Sequence, residues 1–287
     1  MEVIIDKKSG FCFGVKRAVE LAERESVQGG KVYCLGEIVH NSEEVNRLKK
    51  LGIEFITRDE FLGLTNCRVM IRAHGEPPGT YEYAAKNNIE IIDATCPVVL
   101  KLQEKVKNVK KLNPLAQVVI YGKKDHPEVV GLRGQVNEAI IIGSKEEMDT
   151  IDFSRPVSLF AQTTKDRENY QEIKDLILQK MLARGLSRDD LVIFDSICGQ
   201  VANRAPWLEE FSRSVDTVVF VGGKNSSNSR VLFHACKRVN PDAHFVTQTD
   251  DARKLDLNNR KRVGICGATS TPLWLIEEVA EVLKSNS

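Results

Sequence analysis

Short runs of Val, Ile, Leu and Phe recur along the chain, separated by longer stretches whose apolar residues fall three and four positions apart. Unbroken runs suit strands covered on both faces, and the three-and-four spacing suits the helices that cover them. Strands are predicted at 3–6 (VIID), 31–36 (KVYCLG), 68–73 (RVMIRA), 89–94 (IEIIDA), 117–122 (QVVIYG) and 139–143 (AIIIG). They continue at 156–162 (PVSLFAQ), 191–196 (LVIFDS), 217–222 (TVVFVG), 244–247 (HFVT) and 262–267 (RVGICG), with a weaker candidate at 53–56 (IEFI). Helices are predicted over VKRAVELAER, SEEVNRLKKLG, KLQEKVKNVKKL and PLWLIEEVAEVL, the second closed by Gly52 as a C-terminal cap. Strands alternating with helices in this way predict an α/β fold with mostly parallel sheets.

Aligning these elements exposes a threefold repetition. Three strands end in Asp and run on to a cysteine, in VIIDKKSGFC, IIDATC and VIFDSIC, and each of Cys12, Cys96 and Cys198 is followed by a helical pattern. A strand breaking into a polar loop comes next, with His40, His126 and Ser226 at 28, 30 and 28 residues past their cysteines. A second polar loop places His74, Thr163 and Ser270 at 62, 67 and 72 residues. The expectation is three similar α/β units, each with a small parallel sheet of about four strands. Their boundaries are set at 13–96, 97–196 and 197–283, the last completed by the N-terminal strand within 1–12. Ligands of such sheets bind beyond the carboxyl ends of the strands, where all these cysteines and loops lie. Units packed around a pseudo-threefold axis would bring them to one central site.

Composition narrows the chemistry. The chain has 287 residues, 42% hydrophobic and 28% charged, which is ordinary for a globular protein. Lys and Arg number 41 against 40 Asp and Glu, so no basic field exists to hold nucleic acid. No apolar run approaches the length of a membrane span and MEVIIDKKSG carries no secretory h-region, so a cytoplasmic protein with no membrane partner is expected. Seven cysteines make poor material for a disulfide framework in a reducing compartment. Cys34, Cys67, Cys236 and Cys266, inside predicted elements, read as packing residues. The repeated trio reads either the same way or as a soft-metal centre. Short Cys-x-x-Cys spacings of structural zinc are absent, and a [4Fe–4S] cluster normally takes four cysteines, so three would leave one iron open as a Lewis acid.

The loops supply chemistry around such a centre. His40, His74 and His126 are three of five histidines, each at a strand end. Ser226, Ser227, Asn228 and Ser270 add donors just ahead of helices, where unpaired N–H groups and the helix dipole favour an anion. Together they suit a diphosphate. Glu128, two residues after His126 in DHPEV, is the one carboxylate of the set and the natural proton donor, with Thr163 placed to relay protons to it. Walker-type and dinucleotide-binding glycine patterns are both missing.

Taken in order, GFCFGVKRAV, GEIVHN, RAHGEPP, DATCP, HPEV, QTT, KNSSNS and ATSTP resemble the motifs of the 4-hydroxy-3-methylbut-2-enyl diphosphate reductases, the LytB-type iron–sulfur family, over nearly the whole chain. The resemblance implies three α/β domains around one [4Fe–4S] cluster held by Cys12, Cys96 and Cys198 with an open iron site. It assigns diphosphate binding to His40, His74, His126, Ser226, Ser227, Asn228 and Ser270, proton donation to Glu128, and the place beside the substrate alcohol to Thr163. The implied reaction removes the hydroxyl of an allylic alcohol diphosphate as water, using two protons and two electrons. Its products are isopentenyl and dimethylallyl diphosphate, and its electrons arrive singly from a ferredoxin or flavodoxin. Two segments depart from the family pattern. CGQVANRAP has Val201 where many members place a threonine, leaving Gln200 as a candidate substitute, and the last loop reads CGATSTP. Rival readings are a quinolinate synthase-like dehydratase acting on carboxylates and a non-catalytic iron–sulfur sensor or carrier, which would leave Glu128 and the helix-opening loops unused.

Overall fold

A computed structural model describes residues 1–224, 226–257 and 259–285, with Ser227 described by its backbone alone. Twelve strands are present among them: β1 (Glu2–Ile5), β2 (Val32–Leu35), β3 (Ile53–Ile56), β4 (Arg68–Ile71), β5 (Glu90–Asp93) and β6 (Gln117–Tyr121), then β7 (Ile140–Ile142), β8 (Val157–Ala161), β9 (Leu191–Ile193), β10 (Thr217–Val221), β11 (Ala243–Val246) and β12 (Arg262–Gly267). Every predicted strand is found, including the weak one at 53–56. They form three four-stranded sheets, in the orders β3-β2-β4-β5, β7-β6-β8-β9 and β1-β12-β10-β11. Counted from each cysteine of the trio, all three sheets run second, first, third, fourth.

By their contacts the residues fall into two compact units, 1–56 with 203–287, and 57–202. In the first, β1 returns to pair in parallel with β12, Glu2 opposite Arg262 and Ile5 opposite Ile265. Successive side chains of a strand face opposite sides of the sheet. Val219, Val221, Val263 and Ile265 therefore pack on one side against Leu275, Ile276, Val279 and Leu283 of the helix Leu273–Ser285. On the other side Val218, Phe220 and Cys266 meet Leu208, Leu232 and Cys236. Cys236 and Cys266 are thus core residues, as the sequence suggests. The same unit holds the parallel pair β2–β3, Val32 opposite Ile53.

In the unit 57–202, β6 lies between β7 and β8, with all five residues of both β6 and β8 buried. That double coverage is why these strands read as unbroken apolar runs. Leu102, Val106 and Val109 of the helix Pro97–Leu112 pack on Val118, Ile120 and Phe160, joined by Val129 and Leu132. The opposite face is covered by Tyr170, Ile173, Ile177 and Met181. Those four belong to the helix Arg167–Leu182, which is not among the helices predicted above. The pair β4–β5, Arg68 opposite Glu90, completes the strands of this unit.

Candidate active site

Within the unit 57–202 a continuous chain of contacts runs from one cysteine of the trio to another. Cys96 caps the helix Pro97–Leu112, and its backbone N–H donates to the carbonyl of Ala73 at 3.0 Å. The next residue, His74, lies edge-on to His126 with ring centroids 5.3 Å apart. His126 caps the helix Pro127–Arg133, its Nδ1 accepting the N–H of Glu128 at 3.2 Å. An imidazole accepting at Nδ1 carries its proton on Nε2 when neutral, which makes that nitrogen a donor. Glu128 in turn takes the N–H of Thr163 on Oε1 at 2.7 Å and the Thr163 hydroxyl on Oε2 at 2.8 Å. The Thr163 carbonyl closes the chain by accepting the N–H of Cys198 at 2.8 Å.

The electrostatics of Glu128 follow from this placement. The side chain is 1% exposed, and burial pushes its pKa up to about 7, against the downward pull of the two Thr163 hydrogen bonds. Desolvation wins because neutral donors compensate a buried carboxylate only in part. A carboxyl that holds its proton near neutral pH is a competent general acid.

The other unit assembles the remaining residues the same way. The N–H of Cys12 donates to the carbonyl of Thr269 at 3.1 Å, and the residue stands just ahead of the helix Phe13–Val27. Thr269 Oγ1 lies 3.4 Å from Asn228 Nδ2, which joins the ATSTP loop to the start of the helix Ser227–Val239. Ser226 caps that helix by accepting the N–H of Ser229 at 3.2 Å. Ser270 Oγ is sealed from solvent with no hydrogen-bond partner among the described residues, and so is Ser229 Oγ in the first turn of that helix. Two buried hydroxyls in this condition are donors that a ligand's oxygens would satisfy. His40 comes to the same loop. A Cβ on Gly223 would stand 2.0 Å from the His40 carbonyl oxygen, so only glycine lets the two backbones touch there. The side chain of Ser227 lies outside the described residues.

A family model described as LytB protein matches residues 3–284. The chain belongs to the LytB family. A 4-hydroxy-3-methylbut-2-enyl diphosphate reductase from Bacteroides thetaiotaomicron is 49% identical over 283 residues, 97% of this chain and 96% of the relative. Among solved structures, one of (E)-4-hydroxy-3-methyl-but-2-enyl diphosphate reductase, the terminal enzyme of the non-mevalonate pathway, is similar at 35% identity and TM-score 0.77, covering 99% of this chain and all of the other. The E-1-hydroxy-2-methyl-but-2-enyl-4-diphosphate reductase from Plasmodium falciparum is similar at 26% identity and TM-score 0.80, over 99% of this chain and 88% of that one.

LytB proteins are iron–sulfur proteins, and the donor set of this chain fits such a group. Cys12, Cys96 and Cys198 form no disulfide and are half-buried, neither sealed in a core nor displayed on the surface. Each sits where a helix begins, a place that favours negative charge. Each has its backbone N–H fixed by a carbonyl of the second polar loop. By contrast Cys34, Cys236 and Cys266 are buried, and Cys67 lies just ahead of β4. In the atypical segment after Cys198, Gln200 is exposed and Val201 half-buried. Thr271 of CGATSTP ties its loop to β10 through a 2.9 Å bond from its hydroxyl to the Val221 carbonyl.

Sequence reasoning passed over two supporting residues. Asn41, rather than the adjacent His40, caps the helix Ser42–Lys50, accepting the N–H of Glu44 at 3.1 Å. Its signal was present, since Asn four residues ahead of an apolar position is a common helix start. Arg204 is 2% exposed, and nothing in the sequence separates it from a surface arginine.

Proposed function

We propose that this protein is a 4-hydroxy-3-methylbut-2-enyl diphosphate reductase of the methylerythritol phosphate route to isoprenoids, converting the allylic alcohol diphosphate to isopentenyl and dimethylallyl diphosphate. The observation that supports it most is the sequence of contacts His126–Glu128–Thr163–Cys198, which sets a neutral-range acid one hydrogen bond from the residue beside a cysteine of the trio. Its relatives' names and the family match point to the same reaction.

Cys12, Cys96 and Cys198 would hold a single [4Fe–4S] cluster, leaving one iron as a Lewis acid and the cluster as the source of reducing electrons. His40, His74, His126, Ser226, Ser227, Asn228 and Ser270 bind the diphosphate, an assignment supported by the sealed Ser270 hydroxyl and the donor tautomer of His126. Thr163 orients the substrate alcohol, and Glu128 delivers a proton from its carboxyl so that the hydroxyl leaves as water. The electrons come one at a time from a ferredoxin or flavodoxin. Among the described residues no helix is long and apolar enough to cross a membrane, and a cytoplasmic site of action is in keeping with this.

The test is anaerobic turnover of the allylic diphosphate with reduced methyl viologen, following both products by mass. A Mössbauer spectrum taken with and without substrate reports whether a unique iron changes its surroundings. No product and no iron–sulfur signal after anaerobic reconstitution would overturn the proposal. An intact centre that ignores this substrate would favour the dehydratase or the sensor.

A further inference from the structure

Among the described residues of the unit 1–56 with 203–287, the guanidinium of Arg204 is fully buried and bonds to no candidate substrate or metal residue. Arg204 donates from Nη2 to Asp6 Oδ2 at 2.9 Å, to Ser9 Oγ at 2.7 Å and to the Gly267 carbonyl at 2.7 Å, while Nη1 reaches the Lys8 carbonyl. The partners belong to two segments with different cargo. Asp6, Lys8 and Ser9 form the turn that leads through Gly10, at φ +112°, to Cys12. Gly267 ends β12 and leads to Thr269, whose carbonyl fixes the N–H of Cys12, and to Ser270.

Ser9 reinforces the junction, donating to Asp6 Oδ2 at 2.9 Å and accepting the Gly267 N–H at 2.9 Å. A buried arginine has a high desolvation cost, and the acceptors around Nη1 and Nη2 offset it, while Nε has no partner among the described residues. Its planar fork can serve several acceptors in fixed directions, and lysine cannot reproduce this.

We propose that Arg204 is a positioning residue, whose guanidinium locks the Asp6–Ser9 turn to the end of β12 and so sets Cys12 and Ser270 in place together. This rests on the proposed function for what Cys12 and Ser270 do, but not for whether Arg204 holds them. Losing the clamp leaves Cys96 and Cys198 untouched, because their N–H groups are fixed by Ala73 and Thr163.

The experiment compares Arg204→Lys and Ser9→Ala with the parent protein, first without metal. Iodoacetamide labelling of each cysteine is followed by peptide mass spectrometry, and folding is checked by circular dichroism. Both variants are expected to label Cys12 at least about five times faster, with Cys96 and Cys198 unchanged as internal controls. Anaerobic reconstitution should then give less iron per chain in the variants and faster loss of it in air. Ser9→Ala removes one hydroxyl without stranding Asp6, so it reports even where Arg204→Lys folds poorly. Unchanged Cys12 labelling in folded Ser9→Ala and Arg204→Lys would overturn the inference, as would equal acceleration at all three cysteines. A parent protein that never binds iron would count against the proposed function alone, because the labelling contrast would still decide the role of Arg204.

Discussion

Replacing Glu128 by Gln tests the acid directly, and the protein without metal gives the cleanest measurement because only the chain's own groups titrate. The native pKa stands at about 7 against 4.5 for an unperturbed glutamate. The native state therefore binds the proton more tightly than the unfolded chain, and stability falls as pH rises from about 4.5 to about 7. A shift of that size corresponds to about 3 kcal/mol, of which between about 2 and 3 kcal/mol is spent between pH 5 and pH 8. Gln has the same shape, accepts the Thr163 N–H equally well and never ionises, so it escapes the penalty. Urea unfolding of the two proteins at both pH values gives the result: the stability of Glu128→Gln relative to the parent should rise by that amount between pH 5 and 8. A pH-independent difference would show that Glu128 is not held near neutrality, and the acid assignment would lose its physical basis. In the loaded enzyme the same variant should bind the diphosphate normally and turn over about a hundred to ten thousand times more slowly. Parent turnover should decline above pH 7 as the donor empties.

Thr163→Val keeps the backbone bond to Glu128 but removes the hydroxyl, which favours the charged carboxylate; the alkaline limb of the pH profile should move up by about one unit. An unmoved limb would mean that the hydroxyl does not tune the acid. Cys96→Ser should fold and yet retain little iron after anaerobic reconstitution, measured as iron per chain; full iron content would remove it from the ligand set. Gly223→Ala drives a methyl into the His40 carbonyl, so a loss of about 1–3 kcal/mol in urea unfolding and weaker diphosphate binding by calorimetry are expected together. Wild-type values for both would show that the loop gives way without cost. Ser226→Ala removes a helix cap for about 1 kcal/mol, and a larger fall in diphosphate affinity than in stability would separate binding from capping.

Strands were the most legible part of the fold because they lie in sheets covered on both faces, where each position favours an apolar residue. Even IEFI, the weakest run, is a strand, with its two isoleucines buried and Glu54 exposed at the edge of its sheet. The helix Arg167–Leu182 is less legible although Tyr170, Ile173, Ile177 and Met181 keep helical spacing, because its first turns, RENYQEIKD, are mostly polar and a short polar loop runs straight into it. The three cysteines were legible through repetition. The reason is now physical: each N–H bonds a carbonyl of the second loop, at 3.1, 3.0 and 2.8 Å for Cys12, Cys96 and Cys198. That geometry demands a fixed order of strand, cysteine, helix and loops, and the order survives in the chain as spacing.

Repetition cannot say which copy of an element carries the chemistry, and here two buried glutamates make the point. Helices begin at corresponding places after Asn41 and His126, and their first turns contain Glu44 and Glu128. Both side chains are essentially unexposed, so burial does not tell them apart. Glu44 receives Arg47 at 2.6 and 2.9 Å and the indole N–H of Trp274 at 2.7 Å. These bonds make Glu44 an anchor between the helix Ser42–Lys50 and the helix Leu273–Ser285. Among the described residues the Glu128 carboxyl accepts only the neutral N–H and hydroxyl of Thr163, which offset its burial in part, so its proton is kept up to about pH 7. Sequence spacing singled out Glu128 by its place after His126. What holds its proton is burial with no cation among its hydrogen-bond partners in the described residues, and that is a property of the packed fold.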